Sequence, residues 1–172
     1  MNTLILKSAL ALGLISLTFS GFSQCEIQHR LYPDGSMFYY IEPVNFYWTK
    51  SKDLKGGIET DKENYYLELQ PSPIPAKHEG KKLKDDLELK LSNDSVYRLE
   101  HFDTRYIDHD TVMQLLYLID KKKLGDFVNY DVVSVKINLL DSTGIRNYVF
   151  KLHKSALREQ ISCFLKEKEN KK

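Results

Sequence analysis

The clearest alternation of apolar and polar positions lies late in the chain. VVSVKINL, 132–139, places Val133, Val135, Ile137 and Leu139 on one face of an extended segment. DSTG turns the chain, and IRNYVFKL, 145–152, answers with Tyr148, Phe150 and Leu152. That is a β-hairpin. LELKL, 87–91, alternates as cleanly, with Leu87, Leu89 and Leu91 opposite Glu88 and Lys90; SND reverses it and SVYRLEHF, 95–102, returns. Nearer the start, Ile27–Tyr32 and Met37–Ile41 flank YPDGS. In that turn Pro33 presets its dihedral, Asp34 can bond its own backbone and Gly35 accepts a positive φ. Pro43 ends the second of these strands, because it lacks a ladder donor. VNFYWT, 44–49, resumes an extended pattern, SKDLKGG, 51–57, reads as loop, and NYYLELQ, 64–70, as strand.

Two segments have helical spacing. One is expected from about Thr111 to Lys122, continuing through LGDFVN after a break at Gly125. The other follows Ser155, a good N-cap, and carries Leu157, Ile161, Phe164 and Leu165 on one stripe. The pattern as a whole predicts an α+β fold: a largely antiparallel sheet built from hairpins, with two helices packed on one face. Three prolines and many charges make PSPIPAKHEGKKLKDD, 71–86, a long exposed loop. Too little chain precedes it to form a core alone, so residues 24–168 are expected to be a single domain, and 169–172 a frayed tail.

The first residues change the picture of where this domain works. An apolar run from Ser8 to Phe19 follows Lys7, and small residues come at Ser20, Gly21 and Ser23. This matches a signal peptide over 1–23, and the run is too short for a membrane span. Gln24 before Cys25 argues against lipid attachment. No later stretch would span a bilayer. The expectation is an exported protein, periplasmic or secreted, of bacterial type. Of 25 basic and 24 acidic residues, only Lys7 leaves with the leader, so the domain is electrically balanced. It has no global attraction for nucleic acid or an anionic membrane.

Export makes the two cysteines informative. Cys25 and Cys163 lie at opposite ends of the domain, in neither a CxxC nor a zinc-knuckle spacing. A structural disulfide is the favoured reading, and two separate buried thiols the alternative. Cys163 falls beside the apolar stripe of its helix, where it can reach a neighbouring element. A bridge across so long a loop stabilises by about 4–5 kcal/mol in the chain-entropy account.

Candidate chemistry is sparse. HFDTRYIDHD, 101–110, gathers two of the five histidines and three aspartates. His101 and Asp103 would share a strand face and could chelate a metal with a third ligand such as His109, giving a metal-dependent hydrolase. The favoured reading is a helix start: Asp108 and Asp110 suit the positive end of the dipole, and Thr111 with Gln114 has capping-box spacing. The stretch 37–48 holds six aromatic residues, and Phe46, Tyr47 and Trp48 are the candidate ligand surface. The alternative is that they merely fill the two faces of a strand. With no Lys or Arg within that stretch until Lys50, they do not make a nucleic-acid platform. KKLK at 81–84 and KKK at 121–123 read as a solvated loop and a helix end.

Ser142 lacks the nucleophile-elbow frame, Asp85–Asp86 lies in a charged loop, and no phosphate loop or dinucleotide fingerprint is present. No cofactor or metal is expected. Asn93-Asp94-Ser95 fits the glycosylation sequon. These features favour a small, non-enzymatic binding module for a protein or glycan partner, of which an immunity-like inhibitor would be one form. The hydrolase above and a structural subunit of an envelope assembly are the alternatives.

Overall fold

The computed structural model describes residues 25–32, 34–74, 85–109, 111–139 and 144–170. Among these residues the fold is α+β, with ten antiparallel-paired strands and two α-helices. In chain order the strands are β1 (Gln28–Leu31), β2 (Met37–Tyr40), β3 (Val44–Trp48), β4 (Asp53–Thr60), β5 (Tyr65–Ser72), β6 (Leu87–Leu91), β7 (Val96–Ile107), β8 (Val112–Ile119), β9 (Val132–Asn138) and β10 (Ile145–Val149). A 3₁₀ turn at Lys121–Lys123 leads into α1 (Leu124–Asn129), and α2 spans Ala156–Asn170. No described helix is long and apolar enough to cross a membrane.

The sheet order is β1-β2-β4-β5-β8-β7-β6-β9-β10, with β3 also on β4. β2 and β3 share one edge of β4: β2 pairs at Glu59–Thr60 and β3 at Asp53–Gly56. At the far end, the amides of Lys151 and Leu152, just past β10, donate to the Phe46 carbonyl of β3. The Phe46 and Phe150 rings stack there at 4.3 Å. The sheet therefore curls until its two ends touch. Its inner face and the helices form one core, in which Leu54, Leu67, Leu89, Leu115 and Val135 meet Phe127, Leu157, Ile161 and Phe164.

Three hairpins read from alternation are present: β1–β2, β6–β7 and β9–β10. The expected helix at 111–122 is not. VMQLLYLI is β8, a strand covered on both faces. Met113, Leu115, Tyr117 and Ile119 enter the inner core, while Gln114 and Leu116 are buried on the other side. A doubly covered strand loses its polar alternation and reads as a continuous apolar run, which periodicity alone does not separate from a helix.

The proposed cap is therefore a hairpin turn. Asp108 and His109 have φ of 51° and 58°, and the Thr111 amide and hydroxyl both bond the Asp108 carbonyl, at 3.2 and 2.7 Å. Asp and His are among the residues that tolerate this left-handed backbone. Asp110 lies outside the described residues. Of that expected helix, the 3₁₀ turn at Lys121–Lys123 and α1 remain.

Two further boundaries shift. The expected loop at 51–57 ends early, because residues 53–57 belong to β4. Gly56 marks close packing there rather than a turn: a Cβ on it would lie 2.5 Å from the Glu68 carbonyl oxygen. The expected loop at 71–86 starts late. Pro71 pairs with Leu54, beyond the last β5–β8 pair at Leu69, where a missing donor costs β8 nothing. Residues 75–84, with the KKLK group, and the leader at 1–23 lie outside the described residues. The helix expected after Ser155 is α2, which runs on through Asn170 into the expected tail. Cys25 and Cys163 are disulfide-bonded, with Cα atoms 5.6 Å apart, tying the chain before β1 to α2 across 138 residues.

Candidate functional site

The outer face of the sheet would ordinarily meet water. Over β4, β5, β7 and β8 it does not, because the β1–β2 hairpin folds across it. Phe38, Tyr66 and Leu116 form a small second core there, joined by Tyr32 and Leu118. Strand register then brings polar side chains together beneath the hairpin. Glu59 pairs with Tyr66, and Gly57 pairs with Glu68, so both glutamates point outward, two positions apart. Gln114 pairs with Arg105 on the same face.

Glu59 and Gln114 are fully buried and Glu68 is 1 % exposed. Gln114 Nε2 donates to Glu59 Oε1 at 3.0 Å, and the Tyr32 hydroxyl donates to Gln114 Oε1 at 3.3 Å. Arg30 reaches Tyr32 at 3.3 Å and lies 3.7 Å from Glu59 Oε1. Gln70 donates to Glu68 Oε1. Each glutamate's second oxygen, Oε2, is buried and takes no bond from an N–H or hydroxyl; a side-chain hydrogen bond links the two carboxyls instead. Burial, and then the neighbouring Glu68 carboxylate, push the Glu59 carboxyl up to about 8, against the pull of Arg30 and Arg105. Two adjacent buried carboxyls do not both ionise readily, so the pair favours keeping one proton, with burial and the second carboxyl pushing Glu59 upward.

Beside this network a cleft of about 530 Å³ opens between the tip of the hairpin, the β4–β5 turn and β7. Phe102 is central to it. The β7–β8 register slips between His101 and Asp103, so Phe102 is a bulge residue. It is 49 % exposed, and its ring packs at 4.6 Å from Tyr66. Bulges re-aim side chains in this way. Arg105 lines the cleft and is fixed from two directions: Asp103 takes its Nε at 2.8 Å, and its guanidinium lies 3.6 Å over the Tyr32 ring.

The cleft carboxylates are already oriented. Asp34 accepts the Ser36 amide and hydroxyl at 2.9 and 2.6 Å, which holds its carboxyl below the usual range. Burial would raise Asp61, but bonds from Asn64, Tyr66 and Glu63 outweigh it and keep that carboxyl low.

The same bulge dissolves the His/Asp cluster. His101 pairs with inward-facing Tyr117, whereas Asp103 pairs with outward-facing Leu116, so the two do not share a face. His101 Nε2 lies 2.8 Å from Thr104 Oγ1, its ring packs edge-on to Tyr117, and burial lowers its pKa. Asp103 is committed to Arg105 and the Thr104 amide. His109 sits in the hairpin turn. Among the described residues no three His, Cys, Asp or Glu side chains are grouped to hold a metal.

The aromatic trio is also divided. Phe46 is fully buried against Phe150, Tyr47 is half-buried edge-on to Tyr148 at 5.5 Å, and only Trp48 is largely exposed, at 64 %. Of the candidate surface Phe46, Tyr47 and Trp48, Phe46 therefore belongs to the core, and only Tyr47 and Trp48 reach the surface. Asn93 Oδ1 is turned back onto Ser95 in the β6–β7 turn. Ser142 lies outside the described residues.

Reading the sequence missed Glu59, Glu68, Arg30 and Arg105. Glu68 in NYYLELQ has the position of an ordinary solvent-facing residue, and nothing local says that a hairpin 30 residues upstream covers it. No protein-family model, curated protein or solved structure matches this chain.

Proposed function

We propose that this protein is an exported, non-enzymatic binding module whose ligand lies in the cleft between the hairpin tip and β7. The class that suits the cleft best is a glycan. The observation that carries this reading is the bulge-presented ring of Phe102, facing a cleft whose polar groups are fixed beforehand. An aromatic face takes the apolar face of a sugar, and oriented carboxylate, hydroxyl and guanidinium groups take its hydroxyls. Here Asp34, Ser36, Asp61 and Arg105 fill those roles. Because their geometry is set by bonds already made, binding orders little further, which favours affinity.

A binding role rather than catalysis is supported by where the raised carboxyl sits. Glu59 and Glu68 are closed off beneath Tyr32 and Phe38 and do not line the cleft. Export is supported by the disulfide, since such bridges persist in oxidising compartments.

A glycan array followed by calorimetry on the best ligand tests the proposal. Phe102→Ala and Asp34→Asn should each weaken binding by about tenfold or more while leaving the fold intact. Binding that survives both changes and is lost in Trp48→Ala would move the site to β3. An array without any ligand would remove the glycan class.

A further inference from the structure

A second cavity lies on the other side of Lys62. It is about 240 Å³ and lies between the end of β2, the β4–β5 turn and the last turns of α2. Its wall is aromatic: Tyr39, Tyr65 and Phe164 line it, with the last two rings edge-to-face at 6.5 Å. Its charged rim holds two ammoniums, Lys62 and Lys168, against one carboxylate, Glu167. Lys62 is held in place. It has a φ of 77°, its amide bonds Thr60 Oγ1 at 3.0 Å, and its Nζ lies 4.5 Å from the centre of the Tyr39 ring.

Tyr65 supplies the wall's hydroxyl. The residue as a whole is 4 % exposed, but its oxygen is not sealed from solvent, so the hydroxyl opens into the cavity that the ring lines. Burial of the ring raises its pKa with no bond contributing. A free hydroxyl beside two ammoniums is a donor that an anionic ligand can use.

We propose that this cavity binds a small monocarboxylate with an apolar body, its tail among Tyr39, Tyr65 and Phe164 and its carboxylate at Lys62, Lys168 and the Tyr65 hydroxyl. Several features select this class. The wall excludes polyols. The rim's surplus positive charge favours an anion over a neutral or cationic ligand. The volume lies below the roughly 300–1,000 Å³ of pockets for drug-sized molecules, so the tail is short. The site is distinct from the glycan cleft and does not depend on it, although Tyr39 and Lys62 border both.

Amide NMR titration of the mature protein tests this with three probes: 3-phenylpropionate, octanoate and the uncharged 3-phenylpropionamide. Either acid should shift the resonances of Lys62, Tyr65, Phe164 and Lys168 saturably. The amide should bind about tenfold more weakly or not at all. Tyr65→Phe, which keeps the ring, should weaken the acid by about fivefold or more at an unchanged melting temperature, and Lys168→Gln should do likewise. Preference between the two acids tells an aromatic from an acyl tail.

The proposal is overturned if neither acid reaches the cavity at millimolar concentration. It is also overturned if acid and amide bind alike, or if Tyr65→Phe binds the acid as well as the wild type does. Phe102→Ala should leave acid binding unchanged, so failure here and failure of the glycan site are separately visible.

Discussion

Gln160 of α2 accepts the Ile58 amide of β4 at 2.8 Å, across 102 residues of chain. The contact occurs where the sheet is interrupted. β3 pairs with β4 up to Gly56 and β2 from Glu59, leaving Gly57 and Ile58 without a strand on that edge. The connection through Ile41, Glu42 and Pro43 passes beside Gly57 without pairing, its Ile41 carbonyl oxygen and Pro43 Cα 3.3 and 3.5 Å from where a Cβ on Gly57 would lie, and Pro43 has no amide to offer. Gln160 stands in for the missing strand and also reaches the Glu42 carbonyl, at 3.5 Å. Gly57 leaves it room, since a Cβ there would approach Gln160 Oε1 to 3.2 Å. One side-chain amide thus registers the helix on the sheet and satisfies a buried donor.

Gln160→Leu should therefore destabilise the protein by about 1–3 kcal/mol, because it leaves a buried amide unpaired while keeping the volume. Urea denaturation measures this. A loss within error of zero would mean that water or a shifted backbone serves the Ile58 amide.

The disulfide fixes the same helix from another side. Replacing Cys25 and Cys163 together by serine should lower stability by about 5 kcal/mol, the chain-entropy value for so long a loop. The effect acts mainly on the unfolded chain, so amide spectra of the folded variant should change only near β1 and α2. Alkylation of both sulfurs in the nonreduced, denatured wild type would contradict the bridge.

Hairpin elements were legible wherever one face of a strand met water. β6, β9 and β10 alternate in the sequence because only their inner residues are buried. β8 was not legible, since the β1–β2 hairpin covers its outer face and erases the polar period. The candidate site was lost for the same reason. Glu59, Glu68 and Gln114 occupy outward positions, which a local reading assigns to solvent, and they become a buried network only through a tertiary contact. The Phe102 bulge is a third case: an inserted residue changes which side chains share a face, and no composition signal announces it. By contrast, the cysteine pair was legible because the expected export and an even count constrain it without any knowledge of topology.

The divided aromatic trio makes a sharp mutational contrast. Phe46→Ala empties a fully buried position stacked on Phe150 and should cost about 3–5 kcal/mol. Trp48→Ala removes a side chain that is 64 % exposed and should cost about 1 kcal/mol or less. Thermal unfolding of the two variants side by side checks this. Equal losses would mean that Trp48 is covered in solution, by a second copy or a partner.

The buried glutamate pair predicts a pH dependence of definite sign. Glu59 titrates near 4.5 when unfolded and is pushed to about 8 when folded. Between those values the native state holds a proton that the unfolded chain releases, so stability falls as pH rises. This contribution is whole below about pH 4.5 and is lost progressively up to about pH 8, a change on the order of a few kcal/mol. Glu59→Gln removes the titration while keeping an oxygen for Gln114 Nε2 and adding an amide toward the Glu68 side. The variant should match the wild type near about pH 5 and exceed it in stability near about pH 9. The hairpin contacts made by Arg30 and Tyr32 should loosen first in alkaline wild type, visible as faster amide exchange in β1 and β2 than in β9 and β10. Stability curves for wild type and variant that run parallel across this range would show that Glu59 is ionised beneath the hairpin at neutral pH, with Arg30 as its full counter-charge.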